Sequence, residues 1–214
     1  VALNIAKGNT DDCQQQIFAV VRSSGEFTNA FLKEMDENNI AHYPSSHGNT
    51  KSAIFYAALR LLVVCLREKP TVIHTHTEVP DLTVWLFYKL FGWWLFPRMR
   101  YVRTIHNTQL WNDWKQIGRI VEPFFQRNTL VAIGKNVQKA YKDNYGCEPQ
   151  IVYNGLEELH QKRFEFLREG KINVIVCGRQ EPQKGTSVMT TVVKKLLATD
   201  NRSFFHIIGN GSEG

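Results

Sequence analysis

From Gln16 onward, short apolar runs rich in β-branched residues alternate with segments whose apolar positions recur at helical spacing. The runs Gln16–Val21, Ile40–Pro44, Thr71–His76, Arg100–His106, Thr129–Ile133 and Gln150–Tyr153 predict strands. Between them Glu26–Asn38, Ser52–Glu68, a segment near Asp81–Phe91, a segment near Asp113–Arg127, and Asn136–Tyr145 predict helices. Repeated strand–helix units imply a parallel sheet, because parallel neighbours need a crossover that a hairpin turn cannot supply. The pattern therefore predicts an α/β fold with a parallel sheet and helices on both faces, binding ligands beyond the C-terminal ends of its strands. No internal repeat or low-complexity tract interrupts it.

Asn154–Gly170 is a charge-rich break, and a second strand–helix unit begins after it. The domains read as residues 1–154, a linker over 155–170, and residues 171–214. The second unit opens with Ile172–Cys177, an apolar run with the composition of a strand buried on both faces. Gly178, Arg179, Pro182, Lys184 and Gly185 form a short basic loop, and Ser187–Ala198 returns to helical spacing. Two cations at a strand-to-helix turn, beside the N–H donors and positive dipole end of a helix, suit a diphosphate. The competing reading is a solvated Arg and Lys in an ordinary loop.

Strand Ser203–Ile208 leads into Gly209-Asn210-Gly211-Ser212-Glu213-Gly214, which has the G-x-G-x-x-G spacing of a dinucleotide site. That fingerprint also needs a following helix and a distant acidic residue. Neither a G-x-x-x-x-G-K-[ST] loop nor an Asp-x-Asp pair is present. A P-loop nucleotidase and a metal-bridged diphosphate site of that kind are therefore unsupported.

The net charge of +6 and pI near 9.2 favour anionic partners. Nucleic acid is disfavoured, because lysines and arginines are scattered and no recognition motif appears. Hydrophobic content of 43% with mean hydropathy of −0.30 indicates a water-soluble globular chain. Cys13, Cys65, Cys147 and Cys177 are far apart. With Cys65 and Cys177 in apolar runs, buried free thiols in a reducing compartment are expected, rather than disulfides or a zinc site. The first residues show no signal peptide and read as the inside of a helix ending near Gly8, which suggests that residues precede them.

His74 and His76 alternate on one strand, so they share a face roughly 7 Å apart. No third metal ligand lies near them in sequence, and hydrogen-bonded roles are favoured over ligation. His106, followed by Asn107, ends another strand. Leu82–Phe96 is apolar and aromatic, broken by charge only at Lys89, and too short for the ~20 residues of a bilayer span. With Trp93, Trp94, Arg98, Arg100 and Arg103 it reads either as an interfacial patch for an anionic membrane or as a buried helix with an aromatic end.

Six segments in order carry a family likeness: IHTHT (Ile73–Thr77), TIHNT (Thr104–Thr108), LVAIGKNV (Leu130–Val137), VYNG (Val152–Gly155), the G-R-x-x-x-x-K-G run Gly178–Gly185, and IIGNGSE (Ile207–Glu213). Together they resemble retaining glycosyltransferases of the GT-B type, family 4. The resemblance implies a doubly wound, Rossmann-like acceptor-side domain whose first strand lies upstream. It also implies the start of a second, nucleotide-sugar-binding domain, so that this chain is a fragment.

In that likeness Arg179 and Lys184 hold the donor diphosphate without a metal, and His106 contacts the transferred sugar or places the acceptor. Gly178, Gly185, Gly209, Asn210, Gly211 and Glu213 form the donor loops; His74, His76 and Asn107 line the acceptor side. No cofactor is implied beyond the nucleotide-sugar donor, which is substrate. The acceptor is a saccharide or a lipid-linked one in cell-surface glycan synthesis, and the location is cytoplasmic, at most peripheral at the inner membrane face. A glutamate pair of the family would lie beyond Gly214. Two positions depart from the pattern: Gly134 stands where Ser is usual, and Glu157 where Asp is common. A sugar-nucleotide epimerase of the same architecture and a non-catalytic nucleotide-sugar-binding module are the alternatives.

Overall fold

The computed structural model describes residues 2–8, 14–19, 26–44, 50–112, 114–155, 166–178, 185–200 and 202–209. The chain divides into two compact units, Val1–Glu157 and Glu158–Gly214.

In the first unit β3 (Val72–His76), β4 (Arg100–Ile105), β5 (Thr129–Ala132) and β6 (Gln150–Ile151) form a parallel sheet in that order. A separate parallel pair joins β1 (Ile17–Ala19) to β2 (His42–Pro44). Helices α1 (Ala2–Lys7), α2 (Glu26–Glu37) and α3 (Thr50–Glu68) belong to the same unit. A cavity of about 430 Å³ is lined by Phe18 and Tyr43 of the β1–β2 pair, by Leu61 and Glu68 of α3, and by Ile73 and Thr75 of β3.

After β3 the chain enters α4 (Glu78–Phe87), with Pro80 in the first turn and Glu78 and Asp81 at its positive dipole end. A π-helical turn, Tyr88–Gly92, and the short α5 (Trp93–Leu95) extend this helical run past the predicted end at Phe91. The wide turn sits where packing is tight. A Cβ on Gly92 would lie 2.7 Å from the Tyr101 hydroxyl, so only glycine lets the helix approach β4 there. Val84 and Phe87 bury against Ala58, Leu61 and Cys65 of α3, whereas Trp93 and Trp94 remain 61% and 54% exposed. Leu82–Phe96 thus combines a buried helical face with an exposed aromatic end, and Arg103, expected beside that end, is instead buried.

Helices α6 (Lys115–Gln126) and α7 (Lys135–Tyr145) complete the unit, packing Val121, Phe125, Val137 and Tyr141 onto Ile105, Leu130 and Ala132 of the sheet. Helix α7 stops at Gly146, whose φ of 71° few other residues adopt cheaply. No helix among the described residues is long and apolar enough to cross a membrane.

The second unit pairs β7 (Ile172–Cys177) with β8 (Ser203–Ile208) in parallel and carries α8 (Thr186–Thr199). Here two expectations need correcting. The β7 strand is not buried on both faces: Ile172 and Ile175 are 53% and 46% exposed, and Cys177 is exposed, while Cys65 is fully buried. Composition reports that a strand can be covered, but cover depends on neighbours. Among the described residues of this unit β7 pairs with β8 alone, and α8 leaves Val188, Val192 and Leu197 open.

Candidate functional site

Parallel pairing sets His76 beside Thr104, so the C-terminal ends of β3 and β4 bring His74, His76 and His106 to one edge. His74 Nε2 lies 2.7 Å from the Thr104 hydroxyl, and His76 Nδ1 lies 3.0 Å from His106 Nε2. The ring centroids of His74 and His76 are 4.3 Å apart, and those of His76 and His106 are 5.3 Å apart. Alternation on the strand accounts for the first pair, and strand register for the second.

Burial lowers the affinity of all three imidazoles for protons. For His76, burial and then the charges of His74 and His106 push the pKa down to about 3. His106 is lowered by burial, against an opposing pull from Glu78. At neutral pH the edge is therefore a set of uncharged hydrogen-bonding rings. The His76–His106 contact needs one ring to donate and the other to accept, so the pair holds one shared N–H. Asn107 follows, exposed to solvent. Among the described residues no group of three or more His, Cys, Asp or Glu side chains is placed to hold a metal ion.

A buried ionic network lies under this edge. Arg103 of β4, 1% exposed, places Nε 2.7 Å from Asp81 and Nη1 2.7 Å from Glu122 of α6. Glu122 also accepts the Trp111 indole N–H at 2.6 Å and the Tyr141 hydroxyl at 2.6 Å. Burial pushes the Asp81 carboxyl up to about 7 against the pull of Arg103. One cation shared between two carboxylates would otherwise leave net negative charge in the interior. The Trp111 ring lies against Gly118 and takes a φ of 59°, unusual for a bulky residue. Trp111 thereby ties down the segment that leaves His106. Sequence reading missed this network. The available signal was Arg103 in an apolar strand, with Asp81 and Glu122 on the flanking helices.

In the second unit Gly178 follows β7 and Gly209 follows β8, and Gly178 N–H donates to the Ile208 carbonyl at 2.9 Å. Both strands therefore end side by side on glycine. Gly185, with φ of 71°, caps the N-terminus of α8. A Cβ at Gly178 or Gly185 would meet nothing within 4 Å, so backbone conformation, not crowding, favours glycine there. Arg179, Lys184, Asn210, Gly211 and Glu213 lie outside the described residues.

Comparison with known proteins agrees with this architecture. The sequence profile of Glycosyltransferase Family 4 matches residues 17–158. Among solved structures, a glycosyltransferase from Rickettsia africae ESF-5 superposes with a TM-score of 0.60 at 15% identity, over 99% of this chain and 64% of that one. A protein described as a UDP-N-acetylglucosamine 2-epimerase from Listeria monocytogenes superposes with a TM-score of 0.52 at 10% identity, over 91% of this chain and 62% of that one. The chain thus spans less than two thirds of either structure's length. No curated protein sequence matches it.

The parallel sheets, with histidines and glycines at their C-terminal edges, are those of an α/β protein of the GT-B glycosyltransferase type. The chain belongs to glycosyltransferase family 4.

Proposed function

We propose that the protein containing this chain transfers a sugar, with retention, from a nucleotide-diphosphate donor to a saccharide or lipid-linked acceptor in cell-surface glycan synthesis on the cytoplasmic side. The observation that carries this reading is the family match over residues 17–158, which includes the histidine edge.

In this reading His106, oriented by His76, meets the acceptor or the transferred sugar as a neutral hydrogen-bonding ring. His74, His76 and Asn107 line the same side. The donor lies against the glycine-ended strands β7 and β8, where Gly178, Gly185, Gly209 and Gly211 allow close backbone approach. Asn210 and Glu213 flank it. Breaking the bond to the sugar leaves negative charge on the departing diphosphate. Arg179 and Lys184 stabilise that charge, so no metal or cofactor is required.

The alternative of the same architecture is sugar-nucleotide epimerisation, favoured by the fold likeness to the Listeria protein. It cleaves the donor without an external acceptor. The deciding experiment incubates the full-length protein with a panel of nucleotide sugars in chelator, with and without candidate acceptors, and follows products by NMR. Acceptor-dependent glycoside of unchanged anomeric configuration is expected. An epimerised nucleotide sugar formed without acceptor would select the alternative, and restoration of activity only by a divalent cation would remove the metal-free mechanism.

A further inference from the structure

Four non-glycine residues among those described hold a positive φ. Asn39 and Lys69, at 53° and 49°, close helices α2 and α3, where a left-handed residue is a usual stop. The other two, Thr77 at 80° and Trp111 at 59°, lie in the segments that leave the histidine edge. Thr77 follows His76 directly, and Trp111 ends the stretch that runs from His106. A β-branched or bulky side chain keeps such a backbone only where its surroundings hold it. Each of the two has an anchor, and the anchors meet at one buried side chain.

The Thr77 carbonyl accepts the backbone N–H of Asp81 at 3.1 Å, and the Asp81 carboxyl lies 2.7 Å from Arg103 Nε. On the other side the Trp111 indole donates to Glu122 at 2.6 Å, and Glu122 accepts Arg103 Nη1 at 2.7 Å. Arg103 stands three residues before His106, and its register partner Thr75 is next to His76. Its guanidinium lies 5.0 Å from the centre of the Phe125 ring and 5.8 Å from that of Trp111, so its face is fixed as well as its edge. Buried ion clusters add little stability over apolar residues of the same volume. What apolar residues cannot supply is a planar fork that reaches two elements in fixed directions.

We infer that Arg103 is the positioning residue of the histidine pair. Through Asp81 it holds the turn after His76, and through Glu122 and Trp111 it holds the segment after His106. It thereby sets the 3.0 Å contact between the two rings. Arg103 is 1% exposed and acts on the edge only through these neighbours. Its effect on sugar transfer rests on the transfer reading given above; its hold on the two histidines does not.

The test reads, by NMR on ring-labelled intact protein, the N–H that His76 and His106 share, which in the wild type should be protected from solvent exchange. Asp81→Ala cuts one arm, and Trp111→Phe cuts the other while keeping an aromatic ring; each should abolish that protection. Asp81→Asn, which still offers an oxygen to Nε, should retain it. Arg103→Lys should lose it, since one ammonium cannot serve both carboxylates. Should Arg103→Lys fail to fold, the two arm variants decide. Met35→Ala, a truncation in the buried core beneath α2, should lower the melting temperature and leave the shared N–H as in the wild type, which separates positioning from a general loss of stability. Under the transfer reading, Trp111→Phe should lower kcat by about a hundredfold with nucleotide affinity unchanged. An unaltered shared N–H in either Asp81→Ala or Trp111→Phe, or its loss in Met35→Ala, would overturn the proposal whatever the rates. Lost protection with wild-type kcat would uphold the hold of Arg103 on the pair and remove the pair from the transfer reaction.

Discussion

His76 Nδ1 and His106 Nε2 meet at 3.0 Å across the C-terminal ends of β3 and β4, with His76 held strongly towards its neutral form. A histidine whose folded-state pKa is depressed has bound fewer protons than in the unfolded chain. Its contribution to stability is therefore full above the unfolded value of about 6.5 and is lost as pH falls towards the folded value. His76 should show no titration of its ring resonances between about pH 5 and 8. The melting temperature should fall as pH drops below about 6.5. NMR on ring-labelled protein measures the first and a thermal scan the second. An ordinary titration curve for His76 would mean that the ring is solvated and not locked to His106.

The network under that edge makes a prediction of different size. Glu122 accepts hydrogen bonds from Arg103, Trp111 and Tyr141, and all four side chains are buried. Removing Glu122 strips buried donors of Arg103, Trp111 and Tyr141 of their acceptor, and breaking a buried ion pair in this way costs about 3–5 kcal/mol. Glu122→Ala should lose stability on that scale in urea denaturation. Arg103→Lys should fail to preserve it, because one ammonium cannot reach Asp81 and Glu122 as the planar guanidinium does. A loss under about 1 kcal/mol in both would show that the interior accommodates the change, as some proteins do on losing whole buried pairs.

At Gly118 two effects oppose each other. In a helix, alanine is favoured over glycine by about 1 kcal/mol. Here its Cβ would stand 2.5 Å from Trp111 Cγ and 2.6 Å from Cδ1. The ring cannot easily give way, because its N–H is fixed to Glu122 and its backbone already holds a φ of 59°. Overpacking a fixed site costs about 1–3 kcal/mol, enough to outweigh the helical gain. Gly118→Ala should lower the melting temperature and shift the His106 resonances, since Trp111 anchors the segment between them. A neutral or stabilised variant with an unmoved His106 spectrum would sever that link.

The succession of strands and helices and the parallel pairing were legible because β-branched runs and helical spacing are local signals, whereas the division into separate sheets was not. Element ends shifted by a few residues, as at α4, whose start near Glu78 follows from Pro80 and the dipole-facing acids. The pairing of His76 with His106 was only half legible. Alternation gave His74 and His76 a common face, but register between β3 and β4 appears in no single segment. The Arg103 network was invisible for the same reason, since its members come from four elements and a loop. Exposure of β7 misled in the opposite direction: an apolar run records a capacity for burial, and the partners that provide burial lie elsewhere.

Arg179 and Lys184 lie in sequence between Gly178, which follows β7, and Gly185, the N-cap of α8. The N-terminus of α8 brings backbone N–H groups and a positive dipole end next to this segment. Two fixed cations added there would strengthen their hold on a diphosphate as it gains charge in leaving. Losing one such preorganised donor typically costs ~3 kcal/mol, or roughly a hundred- to thousand-fold in rate. Arg179→Ala and Lys184→Ala in the full-length enzyme should each lower kcat on that scale with the circular dichroism spectrum unchanged. Arg179→Lys should recover only part of the loss, because guanidinium can grip two phosphate oxygens and ammonium only one at a time. Steady-state kinetics with saturating donor separates this from weakened ground-state binding, which would raise KM and spare kcat. Near-wild-type rates for either alanine variant would make that residue part of a solvated loop, and near-wild-type rates for both would leave the departing diphosphate without the stabilisation on which metal-free transfer depends.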